Sequence, residues 1–265
     1  MKRLIPTLVL VICTIQLNPA YAFSLFSKTI QGSGHLEKQT RMLPAFNRID
    51  SETTGRVEII QGNQESITIE SDDNIIPAIE TVVENGGLKI RHKRIDLNTK
   101  TLNITVRVKE LKSINLAGSG SIYAKPLTTK KLTINTAGSG TVELSKLDVS
   151  NVSVNLGGSG SVQVQELQSS DLDVSLGGSG SFKSAGNVNI LTISMGGSGQ
   201  IDTMQLKAKI VKLSMAGSGQ VIVAAKDQLS ASVAGSGHIQ YYGDPQTHLS
   251  MMGSATLKRM GAFPI

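Results

Sequence analysis

Residues 152–181 read VSVNLGGSGSVQVQELQSSDLDVSLGGSGS, so the tripeptide Gly158-Ser159-Gly160 returns twenty residues later as Gly178-Ser179-Gly180. The same tripeptide begins at Gly118, Gly138, Gly197, Gly217 and Gly235, and an altered copy stands at Gly253-Ser254-Ala255. Successive intervals are 20, 20, 20, 19, 20, 18 and 18 residues. Self-similarity at a fixed short period marks a stacked array in which each repeat buries its apolar face only against its neighbours.

Aligned on the first glycine, the columns become legible. Two and four positions before it stand Leu116 and Ile114, Thr136 and Ile134, Leu156 and Val154, and Leu176 and Val174. Four positions after it come Ile122, Val142, Val162, Phe182 and Ile201. Of these only Thr136 is not apolar, and the residues between are mostly Ser, Thr, Asn and Lys. Each arm therefore alternates with period two and turns one face inward. A repeat reads as strand, Gly-Ser-Gly corner, strand and a second corner, where Lys125, Lys130, Lys131, Glu166 and Asp171 gather.

Such strands could form an antiparallel meander or a parallel coil. A meander would place polar two-residue turns of the Asn-Gly type at strict intervals. A parallel β-helix instead stacks equivalent residues about 4.8 Å apart, so glycine recurs where adjacent corners press on one another. The parallel reading explains the repeated glycine, and eight corners then span about 34 Å. The fold class expected is all-β, a parallel β-helix with about 20 residues per coil.

Residues 23–111 lack the regular repeat but remain β in pattern, with alternation in Val57-Glu58-Ile59, Ile67-Thr68-Ile69-Glu70, Leu88-Lys89-Ile90 and residues 102–108. Turn signals lie at Gln61-Gly62-Asn63, Ser71-Asp72-Asp73-Asn74 and Asn85-Gly86-Gly87. Pro77 follows a polar cluster and could open one helical turn. Gly32-Ser33-Gly34 suggests that this part begins with the same kind of corner. The regular repeats and a closing coil occupy 112–265.

Residues 1–22 have the make-up of a secretory signal peptide: Lys2 and Arg3, an apolar run from Leu4 to Leu17, and the small pair Ala20 and Ala22. The apolar run is shorter than the roughly 20 residues a bilayer-spanning helix needs, so cleavage after Ala22 leaves no transmembrane segment. Cys13 leaves with the leader, and the mature chain then folds without disulfides. It carries 24 basic against 20 acidic side chains, a net charge near +4. The nine Phe and Tyr residues of the full sequence are scattered, which speaks against a nucleic-acid-binding face.

Val57-Glu58-Ile59-Ile60-Gln61-Gly62, Ile67-Thr68-Ile69-Glu70-Ser71-Asp72-Asp73-Asn74, Gly87-Leu88-Lys89-Ile90, the Gly-Ser-Gly series and Tyr241-Tyr242-Gly243-Asp244-Pro245 together resemble the auto-transporter adhesin, head GIN domain family of exported bacterial proteins. The resemblance covers nearly the whole mature chain. It implies a right-handed β-helix at the cell surface or in the secreted fraction, and it carries over no catalytic residues. Gly253-Ser254-Ala255 departs from the pattern by losing its second glycine, which questions whether the last coil closes like the others.

The candidate chemistry is sparse. The glycines match neither a phosphate loop nor a dinucleotide loop. Gly157-Gly158-Ser159-Gly160-Ser161 begins like a calcium-binding roll, but Val162 follows where a ligating Asp would be needed. His35, His92, His238 and His248 lack zinc spacing, and no Gly-x-Ser-x-Gly elbow occurs. No metal or cofactor is expected. Asp171 and Asp173 share one strand face but stand alone in their coil.

Two polar columns stand out. Three positions before the corner glycine come Asn115, Asn135, Asn155 and Ser175, and five before it come Ser113, Thr133, Ser153 and Asp173. Stacked, they make parallel ladders on one flat face, suited either to hydrogen bonding along the stack or to binding the hydroxyls of a sugar polymer. The competing candidate is the basic run Lys89, Arg91, Lys93 and Arg94, which would attract anionic polysaccharide or headgroups. The functional expectation is an exported, non-catalytic binding or structural module of the bacterial envelope, with a glycan as partner for the ladder. The alternatives are a carbohydrate-active β-helix enzyme and an ice- or crystal-binding face.

Overall fold

The computed structural model describes residues 29–93 and 96–264. The signal-peptide reading of 1–22 and the candidate Arg94 lie outside the described residues. The repeats form a β-solenoid in which each coil pairs in parallel with the next, twenty residues on: Leu127 with Leu147, Ile134 with Val154, Gly138 with Gly158. Equivalent side chains consequently stack, and the inward columns form one core from Phe46 to Ile239.

Three faces wrap that core. On the first, residues before each corner pair from Arg48–Ser51 through Ser113–Gly118 and successive coils to Gln246–Gly253. On the second, residues after the corner run from Arg56–Gln61 through Ser121–Ala124 and Thr141–Leu144 to His238–Tyr242 and Thr256–Gly261. The third corrects the sequence reading. Strands do break where a second corner was expected, between Ala124 and Leu127 and between Leu144 and Leu147, but the strand Ser161–Gly178 runs unbroken for 18 residues. Leu127, Leu147, Leu167 and Leu206 bury their side chains there, and the bend is absorbed by a register shift between Val164 and Leu167 rather than by a turn.

At the Gly-Ser-Gly corners the backbone ladder continues, with the amide of Ser159 donating to the carbonyl of Gly138 at 2.9 Å and that of Ser161 to Gly140 at 3.0 Å. Gly158 has φ +105°, and a Cβ there would lie 2.6 Å from the carbonyl oxygen of Gly138. Conformation and crowding thus both demand glycine. The last corner closes like the others: Gly253 has φ +97° and Ser254 donates to Gly235 at 2.9 Å.

The N-terminal part caps the stack with antiparallel strands. Ile79–Glu84 and Gly87–His92 form a hairpin beyond Arg48–Ser51, turned by Asn85 at φ 49° and Gly86 at φ 71°. Leu36–Met42, Ser66–Asp72 and Leu102–Val108 extend the second face in the same way. The single helical turn falls at Ile76–Ala78, around Pro77. Arg41 joins the two caps, donating to the carbonyl of Ile79 at 3.0 Å and to Thr81 Oγ1 at 2.8 Å, and partial burial lowers its pKa.

Gly32-Ser33-Gly34 is not a stacked corner, contrary to expectation. It follows Thr29–Gln31, which pairs with Asp96–Asn98 in a separate two-stranded sheet. Its role is to clamp the Asp72-Asp73-Asn74 turn: Gly34 N donates to Asp72 Oδ1 at 2.7 Å, Ser33 N to Asn74 Oδ1 at 3.0 Å and Ser33 Oγ to Asp73 Oδ1 at 2.5 Å. The Ser33 hydroxyl is the main cause of a depressed Asp73 pKa, with His35 adding through space. No Cβ would touch anything at Gly34, whereas from Gly138 onward the first glycine of every corner is crowded by the coil before it.

Thr136 sits in the inward column between Leu116 and Leu156 with its Oγ1 unpartnered. A buried hydroxyl without a hydrogen bond costs about 1–3 kcal/mol, so Thr136→Val is expected to stabilise the protein by about 1 kcal/mol. A urea midpoint that fell or stayed unchanged would contradict this.

Candidate functional site

The asparagines expected on the first face are joined into a directed chain. Asn155 Nδ2 donates to Asn135 Oδ1 at 2.8 Å, Asn135 Nδ2 to Asn115 Oδ1 at 2.6 Å, and Asn115 Nδ2 to Asp50 Oδ1 at 2.5 Å. Arg48 Nε closes it, donating to the other oxygen of Asp50 at 3.0 Å. Register creates this order, because Asp50, Asn115, Asn135, Asn155 and Ser175 are successive neighbours across four parallel strand pairs. Asn115 and Asn135 each spend one N–H and the carbonyl on the chain, Asn155 spends one N–H, and each amide keeps one N–H for the outside; aligned donors of this kind polarise one another. At the open end the exposed Asn155 carbonyl is an acceptor beside Ser175. Thr133 and Ser153 form the adjacent column, half-buried and directly paired.

Between the ladder and the corners runs a second column that the sequence reading missed: Ala117, Ala137, Gly157, Gly177, Gly196, Ala216 and Ala234. The signal was present, since the residue before every first corner glycine from Gly118 to Gly235 is Ala or Gly. These small residues sink the surface into a shallow groove of about 620 Å³ alongside Asn115, Asn135, Asn155 and Ser175, with Leu116, Thr136 and Leu156 as its floor. Asp50, Glu52 and Lys89 stand at its N-terminal end. A second groove of about 490 Å³ continues the face toward the C-terminus past Ser194, Ser214, Ser232 and Ser250.

The basic candidates do not form a free cluster. Lys89 Nζ lies 2.8 Å from Glu84 and Arg91 Nε 2.9 Å from Glu80, across the hairpin. The Lys89 ammonium, by hydrogen bond and then by charge, holds the Glu84 carboxyl below its ordinary pKa. Lys93 is exposed just beyond the strand end. Lys89 is in register with Asp50, so the two candidate sites share one face and Lys89 heads the ladder's column.

Asp171 accepts a hydrogen bond from Asn151 Nδ2 at 2.8 Å. Among the described residues no group of three His, Cys, Asp or Glu side chains converges to hold a metal ion, and no helix is long and apolar enough to cross a membrane.

A parallel solenoid that presents one laterally continuous ribbon of amides and hydroxyls places the protein among the parallel β-helix proteins. The chain belongs to the putative auto-transporter adhesin, head GIN domain family, whose model matches residues 45–165 and 151–245. It is similar to the crystal structure of a putative lipid binding protein from Parabacteroides distasonis, with 30% identity, 88% of this chain and 100% of that one covered, and a TM-score of 0.82. A putative adhesin from Bacteroides fragilis shares 28% identity over 87% of this chain and 100% of its own, with a TM-score of 0.67. A putative adhesin from Parabacteroides merdae has the same fold, at 22% identity, 88% and 100% coverage and a TM-score of 0.72. Among curated proteins, no sequence matches.

Proposed function

We propose that the protein is an exported adhesion-type module of the bacterial envelope that binds an extended, neutral polymer such as a glycan along its first face. The observation that carries this reading is the Asn115–Asn135–Asn155 ladder beside a groove floored by small residues. The ladder offers outward N–H groups at a constant rise of about 4.8 Å, held by their neighbours before a ligand arrives, so little ordering cost opposes binding. Membership of an adhesin family supports a binding role.

The sequence alternatives have less support. A carbohydrate-active enzyme would need opposed carboxylates, and Asp171 is engaged by Asn151. An ice- or crystal-binding face needs a uniform ladder, and the Thr133 column is interrupted by Asp173 and Lys212.

The test is a glycan array probed with the chain from Phe23 onward. An extended neutral glycan should bind with little dependence on salt. Asn135→Ala with Asn155→Ala should weaken binding at least about tenfold, near 1.4 kcal/mol, while the melting temperature moves by only a few degrees. Undiminished binding by that double variant would refute the reading. So would binding that salt abolishes and that neutralising Lys89, Arg91, Lys93 and Arg94 removes.

A further inference from the structure

The seven large apolar side chains most exposed among the described residues all stand at the two ends of the column. At the N-terminal end Leu36, Met42 and Val82 lie on strands that also carry Glu37, Lys38, Arg41, Glu80 and Glu84. Charges of both signs blunt such an edge. The C-terminal end is different. Leu249 is 46% exposed, Met251 39%, Met252 68% and Met260 40%, and residues 246–264 contain no carboxylate side chain. Leu249 and Met251 stand in register with the buried Ala231 and Val233, so they are core positions with no further described coil beneath them.

Charge is polarised toward the same end. Residues 29–203 hold 17 Lys and Arg against 18 Asp and Glu, whereas residues 204–264 hold six against two. Lys207, Lys209, Lys212, Lys226 and Lys258 lie in the last coils, and none is ion-paired with a described carboxylate; Arg259 alone is, 3.5 Å from Asp244. All five lysines are within about three strand spacings of the terminal strands, about 14 Å.

We propose that the C-terminal end of the solenoid docks on an anionic lipid bilayer. Leu249, Met251, Met252 and Met260 enter the headgroup boundary, and the surrounding lysines contact lipid phosphates. Unbranched methionines adapt to an irregular surface, and apolar insertion combined with attraction to anionic lipid is how peripheral proteins hold a membrane. Charge decides the occupant. A second copy seated end to end would oppose two net-positive tips, whereas an anionic surface is complementary to one. Docked in this way, the column projects its charge-balanced, capped end outward and leaves the first face open along its side. The docking does not depend on the glycan reading.

The experiment is co-sedimentation of the chain from Phe23 onward with vesicles of phosphatidylcholine alone and of phosphatidylcholine mixed with phosphatidylglycerol, at low and high salt. The protein should sediment with the mixed vesicles, be released by salt, and bind the neutral vesicles at least about tenfold more weakly. Lys226→Glu with Lys258→Glu, both exposed and unable to disturb the core, should cost about tenfold or more. Leu249→Ser with Met251→Ser and Met252→Ser should also release it. Leu36→Ser with Met42→Ser, and the Asn135→Ala, Asn155→Ala variant, should sediment like the parent. Equal sedimentation with both vesicle types, or no effect of the lysine reversals, would overturn the proposal. So would a vesicle-indifferent dimer that the Leu249, Met251, Met252 variant makes monomeric, because that would assign the end to a second copy.

Discussion

Gly178→Val should destabilise the protein by more than about 3 kcal/mol, while Ser179→Ala, one residue on, should cost less than about 0.5 kcal/mol. Gly178 has φ +135°, in the region that β-branched side chains avoid, and a Cβ there would run into the carbonyl oxygen of Gly158 in the coil before. Because that obstacle is backbone within a hydrogen-bonded ladder, it cannot turn aside as a side chain would. Ser179 is exposed, and its contribution is a main-chain bond to Gly158 at 2.9 Å, which alanine keeps. Gly177→Ala is the internal control, since a Cβ at Gly177 meets nothing within 4 Å. Urea denaturation of the three variants checks the forecast. Equal midpoints for Gly178→Val and Gly177→Ala would mean that the corners do not stack as described.

Phe182→Ala should cost about 3–5 kcal/mol, the range for truncating a buried aromatic ring. Phe182 is 1% exposed, and it stands in the inward column between Val162 and Ile201. Aliphatic neighbours of fixed register cannot collapse into the space that it leaves. In a stack held by nearest-neighbour contacts the loss is local at first. Amide exchange should therefore accelerate in residues 161–164 and 200–203 well before it does in the cap strand Leu102–Val108. Uniform acceleration through the whole chain would show that the column unfolds as one cooperative unit and would contradict the local picture.

The groove's two columns show how far sequence periodicity reaches. Asn115, Asn135 and Asn155 were legible as a ladder because parallel stacking converts an interval of twenty residues into adjacency, and the structure pairs them directly. Their direction was not legible. It is set by Asp50, which belongs to the irregular N-terminal part, shares no repeat register with Asn115, and becomes its neighbour only when Arg48–Ser51 pairs with Ser113–Gly118. The pairing of Lys89 with Glu84 and of Arg91 with Glu80 was hidden for a similar reason: it depends on which residues face one another across a hairpin.

The Gly-Ser-Gly interval and its alternating arms determined by themselves that the chain coils in parallel, since glycine is required only where backbone meets backbone at the same place in every coil. They also determined which side chains lie inward on two faces and which stand in line outside. Tertiary structure alone decided that a third face replaces the second corner, because strands such as Ser161–Gly178 and Gln200–Gly217 bend there without a glycine or proline of their own, while Pro126 and Gly186 mark the place in other coils. It decided as well that Gly32-Ser33-Gly34 clamps a turn while its homonyms stack, a difference made by the neighbouring coil, which Gly34 lacks and Gly158 has. The exposure of Leu249 and Met251 is decided in the same way. Their pattern is that of every buried pair before them, and only their place on the last described strand of the first face leaves them uncovered.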